Sequence, residues 1–285
     1  MKNFNVEKAV KDNVNFLRRW FNQFGADSIA VIGISGGKDS TIAAALLVKA
    51  IGKERVLGIM MPNGRQTDIE DSEKVCQMFD IRNDVAQIGE LYGNAISMLR
   101  TMSSVELTSQ LIINLAPRLR MMTLYGVAQG QKGPAFVINT CNRSEDYVGY
   151  STKYGDAAGD VAVLQDFLVE EVLEIGDYLR LPYELVHKTP NDGLCGRTDE
   201  DNLGFTYVQL DNYLKWREKK AGECPIAPEL AKIIEKEHAA NLHKQTPFFL
   251  YGMLEIIANQ VNSWCAFCFL ERQFIVTRCL SPIYV

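Results

Sequence analysis

The sequence has no excess of basic charge and no ordered set of cysteines. Its 285 residues include 30 Lys and Arg against 35 Asp and Glu, which gives a formal net charge of -5. Proteins that bind nucleic acids usually carry a positive field, so this charge argues against a nucleic-acid partner. The seven cysteines are odd in number and scattered along the chain, unlike those of a disulfide-stabilised secreted domain. We therefore expect a cytoplasmic protein.

Signal-like and membrane-spanning segments are also missing. The N-terminal stretch MKNFNVEKAV has no apolar h-region, so we expect no secretory signal. The most apolar late stretch, residues 250–270, contains four Glu, Asn and Gln side chains, which a membrane span rarely tolerates. Cys265 and Cys268 have the spacing of zinc ligands, but no second pair shares that spacing, so we expect no zinc there.

What the sequence does contain is a regular alternation of strand and helix patterns. Apolar residues at three- and four-residue steps predict an amphipathic helix over residues 4–24. Short apolar runs predict strands at 28–34, 55–62, 84–88 and 134–140. Helical patterns cover 38–51, 68–81, 91–103 and 105–129, and they return around 167–180, 199–219 and 228–242. This alternation predicts an α/β protein with a doubly wound parallel sheet, whose ligands bind at the carboxyl ends of the strands.

The segment Ser35-Gly36-Gly37-Lys38-Asp39-Ser40 joins the first predicted strand to the second helix. It is not a Walker A loop, because Asp39 stands where Ser or Thr must hold magnesium and Ile32 stands where the first glycine belongs. The dinucleotide fingerprint G-x-G-x-x-G fails too, since its glycines are not all present.

The chemistry of this loop nevertheless indicates phosphate binding. Gly36 and Gly37 allow backbone angles that aim consecutive amides at one anion, and the helix N-terminus adds partial positive charge. Hydroxyls and an ammonium can add donors, whereas the Asp39 carboxylate needs a cation between itself and phosphate, which predicts a magnesium ligand. We expect Lys38 and Asp39 to act in catalysis, and the residues that bind the phosphates of a ligand here to be Gly33, Ile34, Ser35, Gly36, Gly37, Lys38 and Ser40.

The loop resembles the SGGxDS loop of the ATP pyrophosphatases, which cleave ATP between its α- and β-phosphates. Further motifs resemble, in the same order, those of the ammonia-dependent NAD synthetases: NLAPRLRMMTLY (114–125), NTCNRSEDYVGYSTKYGDAAGD (139–160), HKTPNDGLCGRTDEDNLGFTY (187–207) and NLHK (241–244). The resemblance runs from about residue 5 to about residue 248. It implies an adenine nucleotide alpha hydrolase-like (Rossmann-like) fold in a single catalytic domain, residues 1–249.

The resemblance also implies roles for individual residues. Thr140 would contact ATP, and Glu145 would join Asp39 as a ligand of Mg²⁺. The residues that would contact deamido-NAD are Arg120, Lys153, Asp160, His243 and Lys244. Arg118 and Arg120 are two residues apart on a predicted helix, so we expect them to point in different directions.

Two positions depart from the family pattern. Many relatives carry an ATP-contacting lysine near the position of Val169, so that charge must be absent here or supplied elsewhere, for instance by Lys188. Asn191 stands where many relatives have Ser or Thr, and its amide can still donate a hydrogen bond to ATP. From residue 250 to residue 285 the chain resembles no part of the family, and this extension either docks on a partner or is foreign to the fold.

The resemblance implies a ligase that uses ATP, Mg²⁺ and ammonia to convert deamido-NAD to NAD through an acyl-adenylate, releasing AMP and pyrophosphate. It also implies a homodimer, to which the N-terminal helix contributes unless that helix only packs on its own sheet. Two alternatives remain open from the residues: an ATP pyrophosphatase that adenylates another acceptor, such as a tRNA base, and a nucleotide-binding protein without catalysis. Neither a nucleic acid nor a membrane is expected as a partner.

Overall fold

The computed structural model describes residues 4–64, 69–188, 198–219 and 222–245, and Asn191 and the C-terminal extension lie outside these ranges. The described strands are β1 Ile29–Gly33, β2 Val56–Met60, β3 Arg82–Val85, β4 Ala135–Asn139 and β5 Val161–Ala162. The described helices are α1 Val6–Asn22, α2 Lys38–Ile51, α3 Ile69–Phe79, α4 Gly89–Arg100, α5 Ser109–Gln129, α6 Arg143–Val148, α7 Val169–Tyr178, α8 Tyr183–Val186, α9 Asp199–Leu203, α10 Tyr207–Lys219 and α11 Pro228–Gln245.

The five strands form one parallel sheet in the order β3-β2-β1-β4-β5. The chain runs outward from β1 through β2 to β3, and then returns to place β4 on the other side of β1. The order of the strands therefore reverses between β1 and β4, which is where doubly wound folds bind ligands. The predicted parallel, doubly wound sheet is confirmed.

Helices cover both faces of this sheet. On one face, α1, α2, α7 and α8 enclose a core that includes Leu17, Phe21, Leu46 and Ile175. α2 is buried almost all round, because its alanines and leucines let it lie directly on the strands. On the other face, α5 packs its buried side on β1 and β4. The predicted apolar stripe of α1 is thus buried within its own subunit.

A smaller cluster joins α6, α7, α10 and α11 beside the sheet, with Tyr147, Leu210 and Ile234 buried in it. His238 stacks on the Tyr147 ring at 4.0 Å between ring centroids and hydrogen-bonds the backbone carbonyl of Tyr147 through Nδ1 at 2.7 Å. The hydroxyls of Tyr147 and Tyr213 donate to Glu235 at 2.6 and 2.9 Å. These contacts hold α10 and α11 against α6, the helix that follows β4.

Several element boundaries differ from the sequence predictions. The single helix predicted at 199–219 is two helices, because Gly204 adopts a left-handed φ of +76° and ends α9. The segment between β4 and α7, for which no strand or helix is predicted, contains α6 and the two-residue strand β5. Pro117 lies inside α5 without ending it.

Candidate active site

The ends of β1 and β4 bring two parts of the sequence to one crevice. The loop 35–37 follows β1 and leads into α2, whereas Thr140 follows β4 and leads into α6. Since β1 and β4 are hydrogen-bonded neighbours, the N-termini of α2 and α6 face the same end of the sheet. The structure therefore brings the glycine loop and Asp39 to the same end of the sheet as Thr140 and Glu145.

The loop makes a tight turn that requires glycine at its centre. Gly36 has a left-handed φ of +73°, and a Cβ there would lie only 2.8 Å from the Ser72 amide nitrogen and 2.7 Å from the Asp71 Cβ. Only glycine fits this position, because any side chain would meet the first turn of α3. The Ser35 and Ser40 hydroxyls lie 3.1 Å apart, and the Gly37 amide donates to the Ser35 hydroxyl at 3.3 Å. These bonds fix the shape of the loop at the N-terminus of α2.

Lys38, Asp39 and Glu145 form a charged cluster at the base of the crevice. The Lys38 Nζ lies 2.7 Å from Asp39 Oδ2 and 3.7 Å from Glu145 Oε1. The Lys38 side chain is only 6% exposed, and both acids are mostly buried. When both acids are ionised, two carboxylates and one ammonium give this cluster a formal charge of -1.

Asn142 holds both acids of this cluster in place. It is the N-cap of α6: its Oδ1 accepts from the Glu145 amide at 3.0 Å, and the Glu145 side chain accepts from the Asn142 amide at 3.4 Å. The Asn142 Nδ2 donates to Asp39 Oδ1 at 3.1 Å. The capping box of α6 therefore also positions the acid at the start of α2.

Burial and charge perturb the titration of the cluster. Burial and, to a smaller extent, the Asp39 carboxylate raise the pKa of Glu145 to about 8, although the Lys38 ammonium opposes that rise. Burial by itself would lower the pKa of Lys38, but the Asp39 and Glu145 carboxylates raise that pKa above its ordinary value. Lys38 is thus a permanent cation here.

Tyr207 closes the cluster on the side of α10. Its ring centroid lies 5.9 Å from the Lys38 Nζ. Burial raises the pKa of Tyr207 well above its ordinary value, and the charges of Glu145 and Asp199 add to this. The buried Tyr207 hydroxyl has no hydrogen-bond partner among the described residues. An unsatisfied buried hydroxyl beside an ion cluster indicates a place for a polar ligand or its water.

The residues predicted to bind deamido-NAD fall into two groups. In the first group, the Lys153 Nζ donates to the His243 carbonyl at 2.5 Å, and the Lys244 Nζ donates to the Gly149 carbonyl at 2.7 Å. Arg118 joins this group through its Nε, which donates to the Lys153 carbonyl at 3.3 Å. The end of α11 is therefore attached to the loops around Gly149 and Lys153.

Arg120 and Asp160 lie apart from that group. The Arg120 Nε donates to the Met61 carbonyl at 3.1 Å, just after β2, so Arg118 and Arg120 do point to different partners. Asp160 accepts from the Val137 amide at 2.7 Å and from the Tyr125 hydroxyl at 3.5 Å, which ties its loop to β4. Asp160 therefore has a structural role in addition to the predicted contact with substrate.

Lys188 contacts the glycine loop through Asp71. Its Nζ pairs with Asp71 Oδ2 at 2.8 Å, and Asp71 is the residue packed against Gly36. Val169 is buried, and its amide donates to the Ser144 hydroxyl at 3.1 Å. Its apolar side chain does not supply the positive charge that a lysine has near this position in many relatives. The described residues thus place Lys38 at the loop itself, and Lys188 and Lys74 on Asp71 beside it.

Sequence reasoning missed Asn142, Ser144, Tyr207 and Asp211 as parts of this site. The pattern Asn142-x-x-Glu145 is a readable signal for a helix N-terminus. The other three gave no local signal, because their roles depend on how α10 packs against α6 and α7.

The chain is similar to proteins of one family. Residues 9–247 match the family model described as NAD synthase. The NH(3)-dependent NAD(+) synthetase of Pyrococcus furiosus is 35% identical over 254 residues, which cover 86% of this chain and 94% of that protein. The corresponding protein of Thermococcus kodakarensis is 37% identical over 239 residues, covering 83% of this chain and 91% of that protein.

Solved structures show the same relationship. The structure of NMN synthetase from Francisella tularensis has a TM-score of 0.77 and 30% identity, and the match covers 87% of this chain and 99% of that chain. The NH3-dependent NAD synthetase from Campylobacter jejuni in complex with the nitrate ion has a TM-score of 0.72 and 25% identity, and the match covers 87% of this chain and 100% of that chain. The chain therefore belongs to the NAD synthase family, a family of ligases.

Proposed function

We propose that this protein is an ammonia-dependent NAD synthetase that amidates deamido-NAD at the expense of ATP. The observation that carries the proposal is the pairing of the glycine loop with Asp39 and Glu145 at the switch point between β1 and β4. The Pyrococcus furiosus and Thermococcus kodakarensis proteins are named for this activity, and this chain spans more than nine tenths of each.

The proposed reaction has two steps. The nicotinate carboxylate attacks the α-phosphorus of ATP, pyrophosphate leaves, and an acyl-adenylate forms. Ammonia then attacks the activated carbonyl carbon, and AMP leaves with the carboxylate oxygen that had joined the phosphorus. Both steps depend on positioning and on stabilising charge on phosphate oxygens, for which loop amides and a helix N-terminus are suited.

The charged cluster fits a divalent cation. Asp39 and Glu145 each direct one carboxylate oxygen at the same cation, the Lys38 ammonium, so both acids can reach one bound cation. The unsatisfied Tyr207 hydroxyl leaves a place for a polar ligand or its water. Among the described residues no group of three or more His, Cys, Asp and Glu could hold a metal. Two carboxylates together with substrate phosphates and water are the usual environment of Mg²⁺, which would neutralise the departing pyrophosphate.

Each remaining residue has a proposed role. Thr140 and Lys188, and Asn191 from outside the described ranges, contribute to ATP binding. The acceptor is bound by Arg120, Lys153, Asp160, His243 and Lys244, as the family resemblance implies.

The three described cysteines, Cys76, Cys141 and Cys224, are free thiols, which supports the expected cytoplasmic location. Among the described residues, no helix is long and apolar enough to cross a bilayer.

A homodimer is also part of the proposal. α4 contains no buried residue, and large apolar side chains are exposed along α4 and the following segment, among them Leu91, Met98, Met102, Ile112 and Ile113. α4 packs on α5, and exposed apolar side chains on adjoining helices are typical of subunit interfaces. α1 is already buried on its own sheet, so the surface formed by α4 and the first turns of α5 is the proposed interface.

The likeness to the Francisella tularensis NMN synthetase favours a second candidate acceptor, the mononucleotide. Both reactions would amidate the same nicotinate carboxylate, and they differ only in whether an adenylate is attached to the ribose phosphate. The two candidates therefore share the ATP site and differ on the acceptor side of the crevice.

A direct assay separates these candidates. The purified chain is incubated with ATP, Mg²⁺ and ammonium, and with either deamido-NAD or nicotinic acid mononucleotide at matched concentrations. The proposal predicts NAD, AMP and pyrophosphate in equal amounts, with kcat/KM higher for the dinucleotide. A higher kcat/KM for the mononucleotide would assign the second function. Formation of ADP and orthophosphate, or ATP consumption only with tRNA, would contradict both.

A further inference from the structure

Lys38 occupies the position between Asp39 and Glu145 that a divalent cation would take. Each acid uses one oxygen for Asn142: Oδ1 of Asp39 accepts from its side chain, and Oε2 of Glu145 accepts from its amide. The remaining oxygens, Oδ2 of Asp39 and Oε1 of Glu145, both face the Lys38 ammonium at 2.7 and 3.7 Å. The carboxylate oxygens that Asn142 does not use thus face a cation of the protein itself, the Lys38 ammonium.

Burial makes this arrangement an exchange site for cations. Two acids that are mostly buried cannot stay charged without a cation, and a buried ammonium cannot stay charged without acids. A divalent cation would need the same two oxygens, and its charge would repel the ammonium at that distance. The two cations therefore exclude each other from these oxygens.

Nucleotide binding can resolve this competition. Two carboxylates are fewer ligands than Mg²⁺ or Mn²⁺ requires, so phosphate oxygens and waters must supply the rest. The same phosphates would give the Lys38 ammonium a new anionic partner, because Lys38 is the first residue of α2, directly after the glycine loop. The Tyr207 ring lies over the Lys38 ammonium, and its buried hydroxyl has no hydrogen-bond partner among the described residues, so hydrogen-bonding capacity is left unused here.

We infer that Lys38 is an internal counter-cation, which holds the position between Asp39 and Glu145 in the nucleotide-free protein and gives it up when ATP and a divalent cation bind together. This inference rests on the metal site of the proposed function. It adds that the protein alone disfavours the metal, so that metal and nucleotide bind as a pair.

Binding of Mn²⁺, followed by electron paramagnetic resonance, tests this inference without any turnover. Mn²⁺ is titrated into the wild-type protein, Lys38→Met and Lys38→Gln, each with and without α,β-methylene ATP, which resists cleavage between the α- and β-phosphates. Without nucleotide, both variants should bind Mn²⁺ at least about tenfold more tightly than the wild type, because a competing charge has been removed. The nucleotide should strengthen Mn²⁺ binding by a larger factor in the wild type than in either variant.

Lys74→Met is the matched control. Lys74 also pairs with an aspartate, Asp71, at 3.0 Å, but this pair is more exposed and does not include Asp39 or Glu145. Its substitution should leave Mn²⁺ affinity unchanged. The double variant Lys38→Met/Glu145→Gln should lose the gain in Mn²⁺ affinity that Lys38→Met shows. That loss would show that Mn²⁺ binds at these carboxylates.

The outcomes separate the inference from the proposed function. Unchanged Mn²⁺ affinity in both folded Lys38 variants would overturn the inference, while Mn²⁺ binding to the wild type with nucleotide would leave the metal site intact. Absence of Mn²⁺ binding to the wild type even with nucleotide would overturn both. If the variants do not fold, crystals of the wild type soaked in Mn²⁺ decide: an anomalous peak between Asp39 and Glu145 without nucleotide contradicts the inference, and a peak that requires the nucleotide supports it.

Discussion

Asn142 connects the two acids of the proposed cation site through a single short side chain. Its Oδ1 caps α6 and its Nδ2 donates to Asp39, so one amide fixes the start of a helix and the orientation of a carboxylate. The capping pattern was readable from sequence, because Asn and Glu are three residues apart. The contact with Asp39 was not readable, because it spans 103 positions and depends on β1 and β4 being neighbours.

Asp39→Asn should remove most of the Mg²⁺-dependent turnover while leaving the fold intact. Asparagine keeps the size of the side chain and can still accept from Asn142, but it removes one of two anionic ligands. We expect kcat to fall by at least about 100-fold, in line with the loss of a ligand from a catalytic metal site. The measurement is NAD formation at saturating ATP and Mg²⁺.

Asp80→Asn is the control for this substitution, because Asp80 pairs with Lys53 on the surface, far along the chain from the loop. It should retain full activity. Near-normal turnover of a folded Asp39→Asn protein would show that Asp39 does not hold the metal.

The start of α7 is capped by side chains from other helices. Leu168 precedes this helix and offers no polar side chain, so the first amides need partners from elsewhere. The Val169 amide donates to the Ser144 hydroxyl of α6, and the Glu170 amide donates to Oδ2 of Asp211 in α10 at 3.0 Å. Ser144 also donates to Asp211. One hydrogen-bonded set therefore fixes α6, α7 and α10 relative to each other, directly beside Glu145.

Asp211 should make stability depend on pH. Burial raises its pKa to about 7 from an ordinary value of 3.8, and Asp211 is only 1% exposed. Between these values the folded protein keeps the proton that the unfolded chain releases, so this contribution to stability is complete below pH 3.8 and is lost as pH rises toward 7. Asp211→Asn does not titrate, so its stability relative to the wild type should rise over that interval by on the order of 1–3 kcal/mol.

Urea unfolding of both proteins at a series of pH values measures this difference, and the other titrating groups cancel in the comparison. Asp211→Ala adds a second test, since it leaves the Glu170 amide without its partner and should cost about 1–3 kcal/mol at every pH. A constant difference between wild type and Asp211→Asn from pH 4 to 7 would contradict the assigned titration.

The sequence predicted the sheet better than it predicted the region beside the sheet. The strands β1, β2 and β4 are buried apolar runs, and such runs are readable without tertiary information. β5 has two residues and exists only because β4 offers it a partner, and α6 is six residues long. Neither has enough periodicity to be recognised. The same holds for the candidate site. The loop and Glu145 were predicted from sequence, whereas Tyr207 and Asp211 were not, because helices distant in sequence pack together to place them there.

The apolar surface of α4 and the first turns of α5 should join two copies of the chain. Met98 is 59% exposed and Ile112 is 40% exposed, and both would be buried in the proposed dimer. Met98→Glu combined with Ile112→Glu places charges in that interface and should convert the dimer to a monomer at micromolar concentration. Light scattering coupled to size-exclusion chromatography gives the mass of each species.

Val208→Glu controls for the addition of charge to an exposed apolar position, because Val208 is 64% exposed and lies on α10. It should leave the dimer intact. A wild-type protein that stays monomeric, or a double variant that stays dimeric, would exclude this surface as the interface.

Transfer of an isotope from the acceptor to AMP tests the proposed chemistry most directly. Deamido-NAD is prepared with ¹⁸O in both oxygens of its nicotinate carboxylate and converted by the wild-type protein with ATP, Mg²⁺ and ammonia. Attack of that carboxylate on the α-phosphorus predicts one ¹⁸O in the phosphate of AMP and the other in the amide of NAD. Unlabelled AMP, with ¹⁸O recovered in pyrophosphate or orthophosphate instead, would show that another phosphorus is attacked and that no acyl-adenylate is formed.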